Sequence, residues 1–153
     1  EEAEQFCFQT FTDAKANKPD PDPLAQVIQS TLEDVAERLT TLNRRGAGVF
    51  VTVNLTDGKG RKKDNIIRIR ALWQECDHGD EPTLPVEPHL SVESSPGKCH
   101  NYILVEGLPI DLFGPAQERL VVDYGSDPAA KDLPRVLRLP GFYHMKDPTR
   151  PHL

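Results

Sequence analysis

Two carboxylates stand one residue apart in Glu75-Cys76-Asp77. At the end of a strand, a side-chain period of two sends both to one face and Cys76 to the other. Hard oxygen donors placed this way can bridge a pair of magnesium or manganese ions and leave positions open for phosphate. An isolated acid-x-acid pair is more often a soluble strand end, so its company matters. Lys98-Cys99-His100 has the same parity, with lysine and histidine on one face and Cys99 on the other. If the two strands pair, one face collects two carboxylates, a lysine and a histidine, while both cysteines are buried on the opposite face. Asp132, Arg135 and Arg138 form a third cluster. The odd separation of the arginines puts them on opposite faces of a regular strand, so one can bind triphosphate while the other ion-pairs. Asp127 rivals Asp132 as the third carboxylate.

These groups need a scaffold. Residues 6–11 read as a short strand and 15–23 as a polar, proline-rich connector. Asp22 followed by Pro23 predicts a helix start. Leu24, Val27, Ile28, Val35, Leu39 and Leu42 then recur at helical spacing until Gly46. Residues 47–53 form a β-branched run that suits a buried strand, and 54–65 a glycine-rich basic loop. Alternation over 67–77 predicts another strand, and a proline-rich connection covers 80–88. Two strands over 90–93 and 99–106 are joined by the turn Ser94-Ser95-Pro96-Gly97. A helix over 115–124 and a short strand over 135–141, halted by Pro140, complete the chain. The predicted class is α+β, an antiparallel or mixed sheet with packed helices and no internal repeat.

The length of 153 residues fits one domain, residues 1–153. No apolar run approaches the roughly 18 residues of a membrane span. Glu1-Glu2-Ala3-Glu4 has neither an initiator methionine nor the basic and apolar regions of a signal peptide, so the chain reads as a trimmed piece of an intracellular, cytoplasmic protein. Cys7, Cys76 and Cys99 are odd in number and lack C-x-x-C spacing, which predicts free thiols. The net charge of −6 is unusual for a protein that holds nucleic acid, but it is unevenly spread. Lys59, Arg61, Lys62, Lys63, Arg68 and Arg70 lie within residues 58–70 against the single acid Asp64. A flexible basic loop of this kind contacts phosphate without needing fixed geometry, so Lys59, Arg61, Lys62 and Lys63 are the candidate nucleic-acid contacts.

Taken in order, several segments resemble the RepB-like primases of plasmids and phages, within the archaeo-eukaryotic primase superfamily. They are Gly46-Ala47-Gly48-Val49-Phe50-Val51-Thr52-Val53-Asn54, Asp57-Gly58-Lys59-Gly60-Arg61, Glu75-Cys76-Asp77, Ser94-Ser95-Pro96-Gly97-Lys98-Cys99-His100, and the run Arg135-Val136-Leu137-Arg138-Leu139-Pro140-Gly141-Phe142-Tyr143-His144-Met145-Lys146. The resemblance implies a primase catalytic core with an RRM-like element and a nucleotidyltransferase activity, DNA primase or primase-polymerase, using Mg2+ or Mn2+. It places metal ligands on Glu75, Asp77 and Asp132, and catalysis on these with His100. It places nucleotide binding on His100, Lys98, Ser94, Ser95, Arg138, His144 and Lys146. The family more often has aspartate first in the acid pair; Glu75 keeps the charge and reaches about one methylene further. Implied partners are a single-stranded DNA template, nucleoside triphosphates and a replicative helicase, with no membrane. Many relatives carry a helical domain beyond this core. A silent nucleotide- or nucleic-acid-binding module and a metal-dependent nuclease use the same residues. The lack of a second histidine near His100 counts against HUH-type nickases.

Overall fold

The computed structural model describes residues 4–14, 18–76 and 83–153. In chain order the elements are β1 (Phe6–Thr12), β2 (Gln26–Ser30), α1 (Leu32–Arg44), β3 (Ala47–Thr52), β4 (Leu55–Thr56), β5 (Ile66–Arg68), β6 (Ala71–Cys76), β7 (Leu90–Ser95), β8 (Lys98–Leu104), α2 (Ile110–Tyr124) and β9 (Val136–Arg138). They make a four-stranded sheet, β2-β1-β3-β9, a three-stranded sheet, β6-β8-β7, and the small ribbon β4-β5. Every pairing is antiparallel, so the α+β class holds with the antiparallel alternative realised.

The helix expected from Asp22 starts later. Residues 26–30 instead pair with β1, from Phe6 opposite Ser30 to Thr10 opposite Gln26, so tertiary pairing overrides their helical spacing. Thr31 caps α1, its hydroxyl accepting from the Asp34 amide at 3.1 Å. Asp22 does other work: its carboxylate accepts from the Thr12 amide at 2.8 Å, the Thr12 hydroxyl at 2.7 Å and the Leu24 amide at 2.9 Å. The apolar stripe of α1, Val35, Leu39 and Leu42, packs on Phe8, Ile28, Ala47 and Val49 from one face of the four-stranded sheet. The other face is left to carry side chains of a different kind.

The strand expected over 67–77 is two. It breaks at Ile69 and Arg70 because the buried Asn54 side chain reaches in, its Oδ1 accepting from the Arg70 amide at 3.1 Å while its Nδ2 donates to the Leu133 carbonyl at 3.0 Å. Beyond the break, Trp73 is fully buried, with Nε1 donating to the Ala130 carbonyl at 2.6 Å and its ring 5.4 Å from that of Phe113. Ala71, Val92 and Tyr102 join it in the core of the three-stranded sheet.

Strand β6 is one edge of that sheet, and α2 covers it. The buried Gln117 amide accepts from the Trp73 N–H at 3.3 Å and donates to the Trp73 carbonyl at 2.5 Å, taking the place of a neighbouring strand. This helix begins at Ile110, a turn before the expected Pro115, which lies inside it. It ends at Gly125, whose left-handed φ of 65° lets its N–H return to the Leu120 carbonyl. Ser126 is thereby turned toward β6, and its hydroxyl accepts from the Glu75 N–H at 3.2 Å. Among the described residues no helix is long and apolar enough to cross a membrane.

Candidate active site

A cavity of about 440 Å3 is lined from both sheets. The three-stranded sheet supplies Glu75 and His100, which lie opposite each other on β6 and β8, and the β7–β8 hairpin adds Ser94, Ser95 and Lys98. The four-stranded sheet supplies Phe11, Phe50 and Arg138, on neighbouring strands β1, β3 and β9. Asp13 and Lys18 follow β1, and His144 and Lys146 follow β9. Four cations thus face two carboxylates and two histidines, a composition that suits a polyanionic ligand.

The carboxylates differ in situation. Asp13 accepts from Arg138 Nη2 at 2.7 Å and from the Met145 amide at 2.8 Å, and only 2% of its side chain is exposed. Glu75 lies close enough to raise the Tyr102 phenol further above its ordinary range, where burial has already pushed it. Burial and the Arg138 guanidinium hold the His144 imidazole below its usual value, with Asp13 opposing them and Lys146 and His152 adding a little. The Arg138 guanidinium lies over the Phe50 ring at 4.8 Å. That ring stacks on Phe11 at 4.6 Å, and Lys18 Nζ lies over Phe11 at 4.9 Å.

A second, larger cavity of about 1090 Å3 is lined by Lys59, Arg61, Lys62 and Lys63 together with Gln9, Gln29 and Asp132. The loop is anchored here, with Gln29 Nε2 donating to the Gly60 carbonyl at 3.2 Å and Arg61 Nη1 to the Pro134 carbonyl at 3.4 Å.

The family model of the RepB DNA-primase N-terminal domain matches residues 77–151. That match covers 75 of the chain's 153 residues, just under half. The fold is shared with solved primase structures. The AEP domain of the primase-polymerase from cyanophage S-2L superposes with a TM-score of 0.74 at 18% identity, over 93% of this chain and 76% of the other. Primase RepB′ does so with a TM-score of 0.64 at 18% identity, over 95% of this chain and 47% of that one, so the present chain spans about half of RepB′. The catalytic domain of RepB′ in complex with initiator DNA gives a TM-score of 0.61 at 18% identity, covering 96% and 73%. No curated protein matches the chain significantly.

Of the residues singled out in the sequence, Glu75, Ser94, Ser95, Lys98, His100, Arg138, His144 and Lys146 line one cavity, while Lys59, Arg61, Lys62 and Lys63 line another. Asp77 lies outside the described residues, as do parts of the connections expected over 15–23 and 80–88. Asp132 does not join Glu75. It lines the basic cavity and a neighbouring one beside α2, and it ion-pairs with Arg135, three residues on, because the strand that would carry it inward begins only at Val136. The rival Asp127 is brought near β6 by the Ser126 bond to Glu75, although its carboxylate accepts from the Ala129 amide at 2.8 Å. Arg135 and Arg138 diverge as their odd spacing requires. Cys76 is buried and pairs in register with Cys99. Cys99 itself is only partly covered, being one residue from the start of β8 at the hairpin.

For a divalent cation, the chemistry of the donor set fits in part. Glu75 brings a hard oxygen donor to a cavity suited to phosphate. Both oxygens of Asp13 are engaged by Arg138 and Met145. Among the described residues no three of His, Cys, Asp and Glu gather as a metal-holding group. Sequence reasoning missed Asp13, Phe11, Phe50 and Lys18. Asp13 had no signal, since its partners are more than a hundred residues away.

Proposed function

We propose that this domain performs template-dependent nucleotidyl transfer as a DNA primase or primase-polymerase, extending a primer on single-stranded DNA from nucleoside triphosphates. The observation that carries the reading is the single cavity into which two sheets bring Glu75, Lys98, His100 and Arg138. Arg138, Lys98 and Lys146 bind and orient the triphosphate, and charge-assisted contacts of this kind stabilise the negative charge that shifts onto the leaving pyrophosphate. His100 donates to a phosphate oxygen. Ser94 and Ser95, on the hairpin rim, accept or donate to the nucleotide as it enters. Glu75 and Asp77 would hold Mg2+ or Mn2+, which when bound supplies Lewis-acid charge to an in-line displacement. The third ligand expected at Asp132 finds no support from the geometry.

The template is assigned to the basic cavity, where Lys59, Arg61, Lys62 and Lys63 offer charge to a phosphate backbone. The complex of the RepB′ catalytic domain with initiator DNA supports a nucleic-acid partner for this fold. Such a domain works inside the cell. The test is incubation with a single-stranded template, labelled nucleotides and manganese or magnesium, with products sized on a gel. Products longer than the input nucleotide are expected. Triphosphate binding without extension would favour a silent nucleotide-binding module, and shortened template would favour a nuclease.

A further inference from the structure

The Asp13 carboxylate is almost wholly buried in the wall of the nucleotide cavity. Burying a charge is costly unless it is paired and hydrogen-bonded, and a buried pair adds little stability over apolar packing of the same volume. Stability alone therefore gives little reason for this carboxylate. Its partners give another. One oxygen holds Arg138, and the other holds the Met145 amide, which lies between two cavity residues, His144 and Lys146.

The guanidinium of Arg138 is fixed twice. Its Cζ lies over the Phe50 ring, 4.8 Å from the centroid, and Asp13 takes one of its five donors at 2.7 Å. Space for this is kept by Gly48, where a Cβ would stand 2.7 Å from the Phe50 ring and 3.0 Å from Asp13 Oδ1. Asp13 cannot serve a triphosphate directly, because like charges repel and because Arg138 covers it. It can only act through the groups it holds.

We propose that Asp13 is a positioning residue of the nucleotide site: it sets the guanidinium plane of Arg138 and ties down the segment that carries His144 and Lys146, so that these cations converge on the triphosphate. The proposal rests on the nucleotide reading of the cavity given above. It names a residue outside every motif that carries the family resemblance.

The test is a thermodynamic cycle on the full chain, with a nucleoside triphosphate and Mn2+ titrated into wild type, Asp13→Asn, Arg138→Ala and the double variant, each checked for folding by circular dichroism. Asp13→Asn should weaken triphosphate binding about tenfold and leave single-strand binding unchanged. The asparagine oxygen can still accept from the Met145 amide, so Asp13→Asn acts only through Arg138 and the double variant should bind no more weakly than Arg138→Ala alone. Wild-type affinity in Asp13→Asn, or losses that simply add, would overturn the proposal. If the wild type binds no triphosphate, the nucleotide reading of the cavity itself fails, which is a distinguishable result. A second readout is the titration of His144 by NMR, faced by Arg138, Lys146 and His152 as well as Asp13. Removing the Asp13 charge must lower the His144 pKa further, and an unmoved titration counts against the contact. Should Asp13→Asn not fold, Arg138→Lys keeps a cation beside Asp13 but loses the planar fork. It should show the same tenfold loss, and unchanged binding there would also overturn the proposal.

Discussion

Replacing Gln117 by leucine tests how β6, and with it Glu75, is held. Gln117 is fully buried, and its amide meets both the N–H and the carbonyl of Trp73. Leucine fills a similar volume and deletes both bonds, leaving one donor and one acceptor buried without partners. Each such group costs about 1–3 kcal/mol, so the pair costs about 2–6 kcal/mol. Burying an apolar side chain in place of an amide returns about 1–2 kcal/mol. A net loss of about 3 kcal/mol is expected. At this chain length each kcal/mol moves Tm by about 2–4 °C, so the midpoint should fall by about 6–12 °C. Urea unfolding followed by fluorescence is the assay, because the single tryptophan is the residue at the contact. Gln117→Glu keeps the acceptor but turns a carboxylate onto the Trp73 carbonyl, and at neutral pH it should be worse than leucine. A loss below about 0.5 kcal/mol for leucine would refute the view that this amide stands in for a strand.

Alanine at His100 or Arg138 should weaken triphosphate binding by about 1.5–3 kcal/mol, tenfold or more, while single-strand binding stays close to wild type; titration of both ligands against each variant checks the division. Neutralising Lys59, Arg61, Lys62 and Lys63 together should leave triphosphate affinity measured without template nearly unchanged. It should reduce the slope of log affinity for single strands against log salt by up to about 3, at about 0.7 per lost contact; an unchanged slope would remove the loop from the template path. His144 has a depressed pKa in the fold, so protons bind the unfolded chain more readily. The stability that comes from keeping it neutral is present above its unfolded value, about 6.5, and is lost as pH falls through its lower folded value. His144→Asn should therefore lose less stability than wild type over that acid window, as measured by urea midpoints at a series of pH values.

The parity of short strands was readable because a period of two leaves little freedom. Glu75 and His100 share a face, as that period predicts, and the observed register sets them opposite each other, with Cys76 opposite Cys99. Arg138 could be separated from Arg135 on the same ground. The segment 24–30 misled because its apolar spacing fits a helix as well as a strand, and only the pairing with β1 decides between them. Asp132 misled for another reason. The resemblance put a third carboxylate there, but Asp132 precedes β9 and turns to Arg135. What sequence could not offer at all was the set of long-range contacts. Nothing local to Asp13 announces Arg138, and nothing local to Gln117 announces the edge of β6.

The two bonds of Asp13 span 125 and 132 residues of chain. Contacts that distant must wait for translation. At about 5–20 residues per second, β1 is synthesised roughly 6–25 s before its partners. Until then Arg138, His144 and Lys146 do not exist beside it, and the cavity has only half its wall. A nascent chain can therefore fold α1 onto its first strands early and still lack the Arg138, His144 and Lys146 side of the cavity. The cavity is completed late and all at once, when β9 closes the sheet and brings Arg138 into its wall.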